Sequence, residues 1–524
     1  MQSGLKEDVF RINEEKHLFR RQFILGPELP NDLPHWKSRE VENGLYLSTH
    51  PDLQVTSAVS KGNTVILLGY ILDPYNPTWT DEDIMTDVVR EITSIDDVPD
   101  AIFHCCGRFV LIARINGKLG IFHDPGALRQ IYYYIDSDNR CWLASQPTAL
   151  ANRLGLHVDD TILDDFNRSH LFSKTSDYWF PGTITLYSAI KRLSPNHYFD
   201  MRNGKAVRYW PRKPIPRITI PECIDECSSL LKGILSSASM RFNLCFGISS
   251  GLDSRVLLAA SKDVAKEIQF FTQKPSELDD EDAEVAIPRR LMQRLGLKHR
   301  VIVKSEDLPP EFEQMLARNI MAAKKFKAVN VFTIKHNLMP DEDNWAVVYG
   351  NLSEISKRDR FRYPSTPNFL LTPELLTEMA RMTGSEIALN EFRSWLDTVK
   401  ELTKYNVNVL DLMHWEHRVG SWAAMSFSEY DIAFDTVCPF NCRAYITSML
   451  GVPFRYRTMP DYVLHKAIIN NLWPEVLEEE IRTINRETVK WRKIGLDYLY
   501  RTNLYDIIKY IFIMYYRRPR SFKQ

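Results

Sequence analysis

The sequence predicts a mixed α/β chain in two parts, an antiparallel α+β sandwich followed by a doubly wound parallel sheet with a helical C-terminal part. Three observations predict it. Up to about residue 200, apolar or alternating runs are separated by hairpin turns. From about residue 244, strand-like runs alternate with helix-like ones, the pattern of a parallel sheet covered on both faces. At the start of that second part, Leu244-Cys-Phe-Gly-Ile-Ser-Ser-Gly-Leu-Asp-Ser-Arg-Val-Leu-Leu-Ala-Ala260 reads as a buried strand, a turn of small residues and a helix.

In the first part, strands are expected at Thr64–Leu72 and Gly107–Arg114. Asn116-Gly117 supplies a hairpin turn into Leu119–Phe122, and Ile131–Tyr134 and Cys141–Ala144 complete an antiparallel meander. In the second part, a helix from Pro221 to about Arg241 precedes the turn. A helix over 254–262, a strand Ile268–Thr272 and an acidic loop Gln273–Asp282 follow it. A helix Ala283–Leu295 stops at Gly296, and strands His299–Val303 and Trp345–Tyr349 come next. Asp411–Trp422 reads as a helix with Met413, Trp415, Val419 and Trp422 available for packing. His414 and His417 lie three apart on it, without a convincing third zinc ligand.

Composition narrows the function classes. A chain of 524 residues has room for two cores. Its 66 Lys and Arg against 67 Asp and Glu leave a formal charge of −1, so no overall footprint for nucleic acid exists. The basic clusters Lys324–Lys327 and Lys357–Arg362 are expected to be solvated faces. No run is long enough to span a membrane, and the apolar tail Tyr510–Tyr516 is expected to dock on its own domain. The eight cysteines form no Cys-x-x-Cys pair. With no signal-peptide pattern at Met1-Gln-Ser-Gly-Leu-Lys, reduced thiols and a cytoplasmic location are expected.

The turn carries the chemistry. Ser249, Ser250, Gly251 and Ser254 keep bulk away, so backbone N–H groups through Leu252 can converge on an anion at the helix N-terminus. Asp253 sits where a hard cation on that anion would need a carboxylate. Ligands of such sheets bind beyond the carboxyl ends of the strands, where Phe271, Thr272, Tyr349 and Gly350 fall.

This turn resembles the Ser-Gly-Gly-x-Asp-Ser pyrophosphate loop (PP-loop) of the ATP pyrophosphatase superfamily, with Ser250 replacing the first glycine. Its Leu-Asp-Ser-Arg ending is similar to the asparagine synthetase branch. Upstream, Gly107-x-Phe109, Asp124-x-Gly126, Tyr132-Tyr133, Ala144-Ser145 to Leu150, Ile190–Asn196 and Tyr209-Trp210 resemble the Ntn-type glutaminase domain of class II amidotransferases. The resemblance implies a glutamine amidotransferase type 2-like domain over 1–205 and an asparagine synthetase-like ATP-binding domain over 216–524. That family carries its nucleophilic cysteine at the mature N-terminus. Here the chain begins Met1-Gln2 and its first cysteine is Cys105, so the expectation is the glutaminase fold without glutamine hydrolysis.

Further along, Leu295-Gly296-Leu297-Lys298-His299 fits the family pattern that closes the second helix, and Glu284 falls at its aspartate position, with Asp280 and Asp282 as nearby alternatives. Gly350-Asn-Leu-Ser-Glu-Ile355 stands where the synthetases read Gly-Glu-Gly-x-Asp-Glu, with Glu354 at the magnesium-holding aspartate. The extra methylene extends that reach by about 1.5 Å. Pro439–Arg443, Leu464–Ile469 and Leu472–Glu475 resemble later family segments. The family's phosphate-stabilising lysine corresponds to Arg482 by spacing or to Lys493 by local pattern, with Lys466 as fallback.

The resemblance implies ATP and Mg2+ as cofactors, with Asp253 and Glu354 on the metal. It implies an amide-forming ligase that adenylates a small-molecule or peptide carboxylate and transfers an amine or ammonia to it. Glu416 or Glu429 would be the base for the amine. A homodimer is compatible with this reading. The alternative is a non-catalytic nucleotide-binding or scaffold protein derived from such a synthetase.

Overall fold

The computed structural model describes residues 12–175, 178–322, 324–339, 344–357, 368–458 and 461–482. Its first half holds twelve strands: β1 (Phe23–Gly26), β2 (Lys37–Glu42), β3 (Leu45–Thr49), β4 (Val55–Ser60), β5 (Asn63–Leu72), β6 (Cys106–Ile115), β7 (Lys118–His123), β8 (Tyr132–Ile135), β9 (Cys141–Ala144), β10 (Lys191–Arg192), β11 (His197–Asp200) and β12 (Lys205–Arg208). They form two six-stranded antiparallel sheets, ordered β10-β8-β9-β1-β3-β2 and β12-β11-β7-β6-β5-β4. The sheets pack face to face through Phe23, Leu25, Ile66, Leu68, Val110, Ile112, Leu143 and Phe199. Alternate residues of β5 and β6, among them Val65, Leu67 and Leu111, face the other way, toward Ile84, Met85 and Val88 of helix Asp81–Glu91. Central strands covered on both sides lose the polar alternation that marks an edge strand.

The second half is a five-stranded parallel sheet of β13 (Asn243–Gly247), β14 (Gln269–Lys274), β15 (His299–Val303), β16 (Trp345–Val348) and β17 (Asp435–Val437). Its order is β15-β14-β13-β16-β17, every pair parallel. The chain moves outward from β13 to β15 and then crosses back to β16 on the other side of β13. That reversal opens a crevice beyond the carboxyl ends of β13 and β16. The chain is thus a mixed α/β protein of the expected class. Among the described residues no helix is long and apolar enough to cross a membrane.

Helix Ile220–Arg241 links the halves. A capping box at Thr219 and Glu222 starts it, and its Cys223, Cys227, Leu230 and Leu231 are wholly buried. Gly233 is required there by close approach, since a Cβ would lie 2.0 Å from the Pro74 carbonyl oxygen. Gly233→Ala is expected to cost about 1–3 kcal/mol through overpacking against immobile backbone. Urea denaturation would read it, and an unchanged midpoint would show that the helix can shift freely.

The halves share one core and a dense polar seam. Arg108 of β6 makes two bonds to Asp431, at 2.5 and 2.7 Å, with both side chains almost wholly buried. Asn441 donates to the Gly107 carbonyl and to Asp124, and accepts from Gly126 N–H. Cys106 pairs with Cys442 as an isolated antiparallel bridge. The expected helix 411–422 is instead α-helical only over Val409–Met413 and π-helical over His414–Ala423. The wider turn lets Trp415 Nε1 reach the Pro125 carbonyl at 2.7 Å and His417 Nδ1 accept from Gly182 N–H at 2.8 Å. His417 is therefore an interface group rather than half of a metal pair.

Candidate functional site

Strand β13 is apolar because it is the centre of the sheet, and it delivers its turn to the crevice. The helix Leu252–Ala260 begins at Gly251, which brings no side chain to its own N-cap. The serines close the turn on themselves. Ser254 Oγ lies 3.0 Å from Ser249 Oγ and donates to the Ser249 and Gly251 carbonyls, while Gly251 N–H donates to Ser249 Oγ at 3.2 Å. Ser250 is nearly buried, and its Oγ donates to Glu284 at 2.7 Å. Small side chains that bond within the turn leave the helix N-terminus, with its positive end, as the face offered to a ligand.

The neighbouring strands assemble around it. Thr272, at the end of β14, donates from Oγ1 to the Ile248 carbonyl at 2.7 Å and lies 2.9 Å from His299 Nε2. Burial, with help from Arg289, holds the His299 imidazole down at about 4, so it is neutral at physiological pH. His299 is thus a strand-start partner of Thr272. Phe271 is buried against Gly247. Gly350 follows β16 and comes so near the loop that a Cβ there would sit 3.0 Å from Asp253 Cβ. Tyr349 stacks on Tyr430 with centroids 4.7 Å apart and packs against the apolar core beside β16.

Arg482 lies beside the turn. Its N–H donates to the Ser250 carbonyl at 3.0 Å, and its guanidinium lies 3.5 Å from Glu284 and 4.0 Å from Asp282. Lys466 lies on the helix Val463–Leu472, and Lys493 lies outside the described residues.

Two expected bases are placed elsewhere. Glu416 is 1% exposed and sits in the seam, bonded to Arg208 at 2.5 and 2.8 Å, Asn196 at 3.0 Å and Trp395 Nε1 at 2.7 Å. Burial would raise its carboxyl, but the Arg208 charge and hydrogen bonds outweigh that and hold it at about 2. A carboxylate so held is a poor proton acceptor at neutral pH. Glu429 is wholly buried and accepts from Lys324 N–H at 2.7 Å. Glu416 therefore serves the packing of the helix that carries it.

Two lysines of the basic clusters, Lys324 and Lys357, are buried rather than solvated. Lys324 is 2% exposed, its ammonium 5.1 Å from the centre of the Trp422 ring. Lys357 is buried too, and its Nζ contacts both Asp253 oxygens at 2.6 and 2.5 Å. It ends the short helix Ser353–Lys357, one turn after Glu354. Position within the Gly350 loop was the available signal: one turn past Glu354 brings a side chain back toward Asp253.

The phosphate part of the expected ligand fits this site. The metal part does not fit as arranged, because a lysine already neutralises Asp253. Among the described residues no cluster of three or more His, Cys, Asp or Glu is arranged to hold a metal ion. All eight cysteines are buried. Burial drives the thiols of Cys105 and Cys106 well above their ordinary range, which makes both inert as nucleophiles.

No protein-family model matches the sequence, and no curated protein sequence matches it. Similar solved structures include glutamine phosphoribosylpyrophosphate amidotransferase from B. subtilis complexed with ADP and GMP. It has a TM-score of 0.24 and 8% identity, covering 66% of this chain and 73% of that one. A second, described as the allosteric regulatory enzyme of purine biosynthesis, has a TM-score of 0.23 and 10% identity, covering 71% and 74%. Glutamine-dependent NAD+ synthetase from Acinetobacter baumannii in complex with ADP has a TM-score of 0.20 and 14% identity, covering 48% and 59%. At such identities the activity has to be read from the chemistry of the site itself.

Proposed function

We propose that the chain is an ATP-dependent amide-forming ligase of the asparagine synthetase type. One observation carries the reading. The small-residue turn Ser249–Ser254 and the Gly350 loop meet at the reversal point of a parallel sheet, with a helix N-terminus between them. That is where an open α/β sheet binds a nucleotide, and the turn has the chemistry of a pyrophosphate cradle. A substrate carboxylate oxygen would attack the α-phosphorus, forming a P–O bond as the bond to the β-phosphate oxygen breaks and pyrophosphate leaves. An amine would then attack the acyl carbon, lose its proton and expel AMP.

Within this reading the turn's N–H groups hold the leaving pyrophosphate and Arg482 flanks it. The work is positioning and charge neutralisation. The amine would be ammonia or a substrate amine, since neither Cys105 nor Cys106 can release ammonia from glutamine. Domains over 1–205 and 216–524 and a homodimeric state belong to the same proposal.

The test is ATP–pyrophosphate exchange against a panel of carboxylates, aspartate included. Asp253→Asn is expected to reduce exchange at least about a hundredfold, because Lys357 loses the carboxylate that positions it beside the turn. Full exchange in a folded Asp253→Asn protein would remove Asp253 from the site. The second reading, a nucleotide-binding scaffold, is favoured by the diversion of Glu416 into the seam. ATP binding without exchange for any acid would support it.

A further inference from the structure

We propose that Lys357 is the built-in counter-cation of the phosphate loop, so that a nucleotide polyphosphate binds there without a divalent cation on Asp253. The proposal rests on the ATP reading above and deepens it.

The geometry is that of a fixed pair. Asp253 stands in the first turn of the helix that offers its N-terminus to the ligand. Lys357 arrives from across the crevice, 104 residues later, on the loop after β16. Its Nζ is within hydrogen-bond distance of both carboxylate oxygens. The Lys357 side chain is 5% exposed and that of Asp253 is 25% exposed, so the cation is the more enclosed partner. A lysine that deep is costly unless a carboxylate compensates it. The close approach of Gly350 to Asp253 fixes the spacing of the two loops and hence the reach of Lys357.

The surroundings agree. His465 is wholly buried, and its imidazole is held at about 3 by burial first and then by the charges of Lys357 and Arg457. A neutral ring therefore packs on that side of Lys357. Arg457 has its own carboxylate in Asp411, at 3.4 Å. A magnesium ion demands near-octahedral oxygen ligands at about 2.0–2.1 Å. It could take Asp253 only by displacing the ammonium from both oxygens. Glu354 lies one turn before Lys357 on the same short helix and is a methylene longer than the aspartate it stands for. A polyphosphate reaching the helix N-terminus thus meets a carboxylate already paired with an ammonium.

The experiment is calorimetric titration of the full chain with inorganic pyrophosphate and with ATP, in EDTA and in excess magnesium. Wild-type affinity in EDTA is expected to lie within about threefold of that in magnesium. Lys357→Gln is expected to weaken binding in EDTA about ten- to a hundredfold, the value of one charge-assisted contact. Magnesium should restore much of it, because Asp253 is then open to a cation. Lys357→Arg, which keeps the charge if Lys357→Gln fails to fold, should retain binding in EDTA. Wild-type binding only with magnesium overturns the proposal and leaves the ATP reading standing. Unchanged EDTA affinity in a folded Lys357→Gln protein overturns it as well. Absence of binding of either ligand under both conditions overturns both.

Discussion

Replacing Glu416 with alanine is expected to lower folding stability by about 3–5 kcal/mol, the usual cost of removing one partner of a buried ion pair. The carboxylate has four bonds from three groups, Arg208, Asn196 and Trp395 Nε1, and the first two come from the antiparallel half of the chain. Its loss leaves the Arg208 guanidinium, 16% exposed, without its partner, and leaves the buried Trp395 N–H unpaired. Asn196 in turn accepts from Arg443 at 2.7 Å, so the damage spreads along the seam. Glu416→Gln keeps an acceptor for Trp395 and removes the charge, and should cost less. Urea denaturation gives the stability, and exchange measured where the variant is folded gives the activity. A catalytic base would show the reverse pattern: Glu416→Gln fully stable and inactive. Stability lost with exchange retained establishes the seam role.

The fate of Glu416 shows where the sequence stops being informative. Its helix was expected from apolar spacing, but the π-turns that rotate its polar residues into the seam depend on Pro125, Gly182 and Pro195, far away in the chain. A Cβ at Gly420 would lie 2.4 Å from Pro195 Cδ, so the seam also dictates that glycine. Local pattern cannot say whether a helical glutamate meets water or an arginine. The same holds for Lys357, whose partner is in another loop. What the sequence did specify was local and apolar. The strand Trp345–Tyr349 ends one residue early as β16, and the helix from Pro221 begins one residue sooner. The turn after β13 is where its small residues placed it, because only a strand-to-helix turn uses them in that order. Strands β2 and β4 escaped notice since they are polar edge strands, β2 with no fully buried residue. β1 was missed for the opposite reason: four buried residues are too few to show a period.

Acid is expected to destabilise the protein first through its buried histidines. His417 and His465 are wholly buried and held at about 3, far below the ordinary value of 6.5. For both, burial is the largest cause. Nearby positive charge acts in the same direction, while the Glu416 charge partly opposes it at His417. The unfolded chain takes up a proton at each as pH falls through 6.5, and the folded chain does not. The stabilising difference is therefore fully present above 6.5 and is lost as pH drops toward 3. One pH unit is worth about 1.4 kcal/mol per group, so at pH 5 each histidine has cost about 2 kcal/mol and the pair about 4 kcal/mol. His50 and His197, held at about 4, add in the same direction. Glu416 and Asp73, at about 2, lose their contribution only below the ordinary carboxylate range, whereas Asp81 and Glu391, raised by burial, oppose the histidine slope as pH falls. Urea midpoints at pH 7.5, 6.5, 5.5 and 5 would measure the slope. His465→Gln should remove about 1.4 kcal/mol per pH unit of that slope if the variant folds. A midpoint constant from pH 7.5 to 5 would mean that these imidazoles are protonated in the fold. The packing assigned to His417 against Phe392 and Trp395, with ring centres 5.0 and 4.6 Å away, would then be wrong.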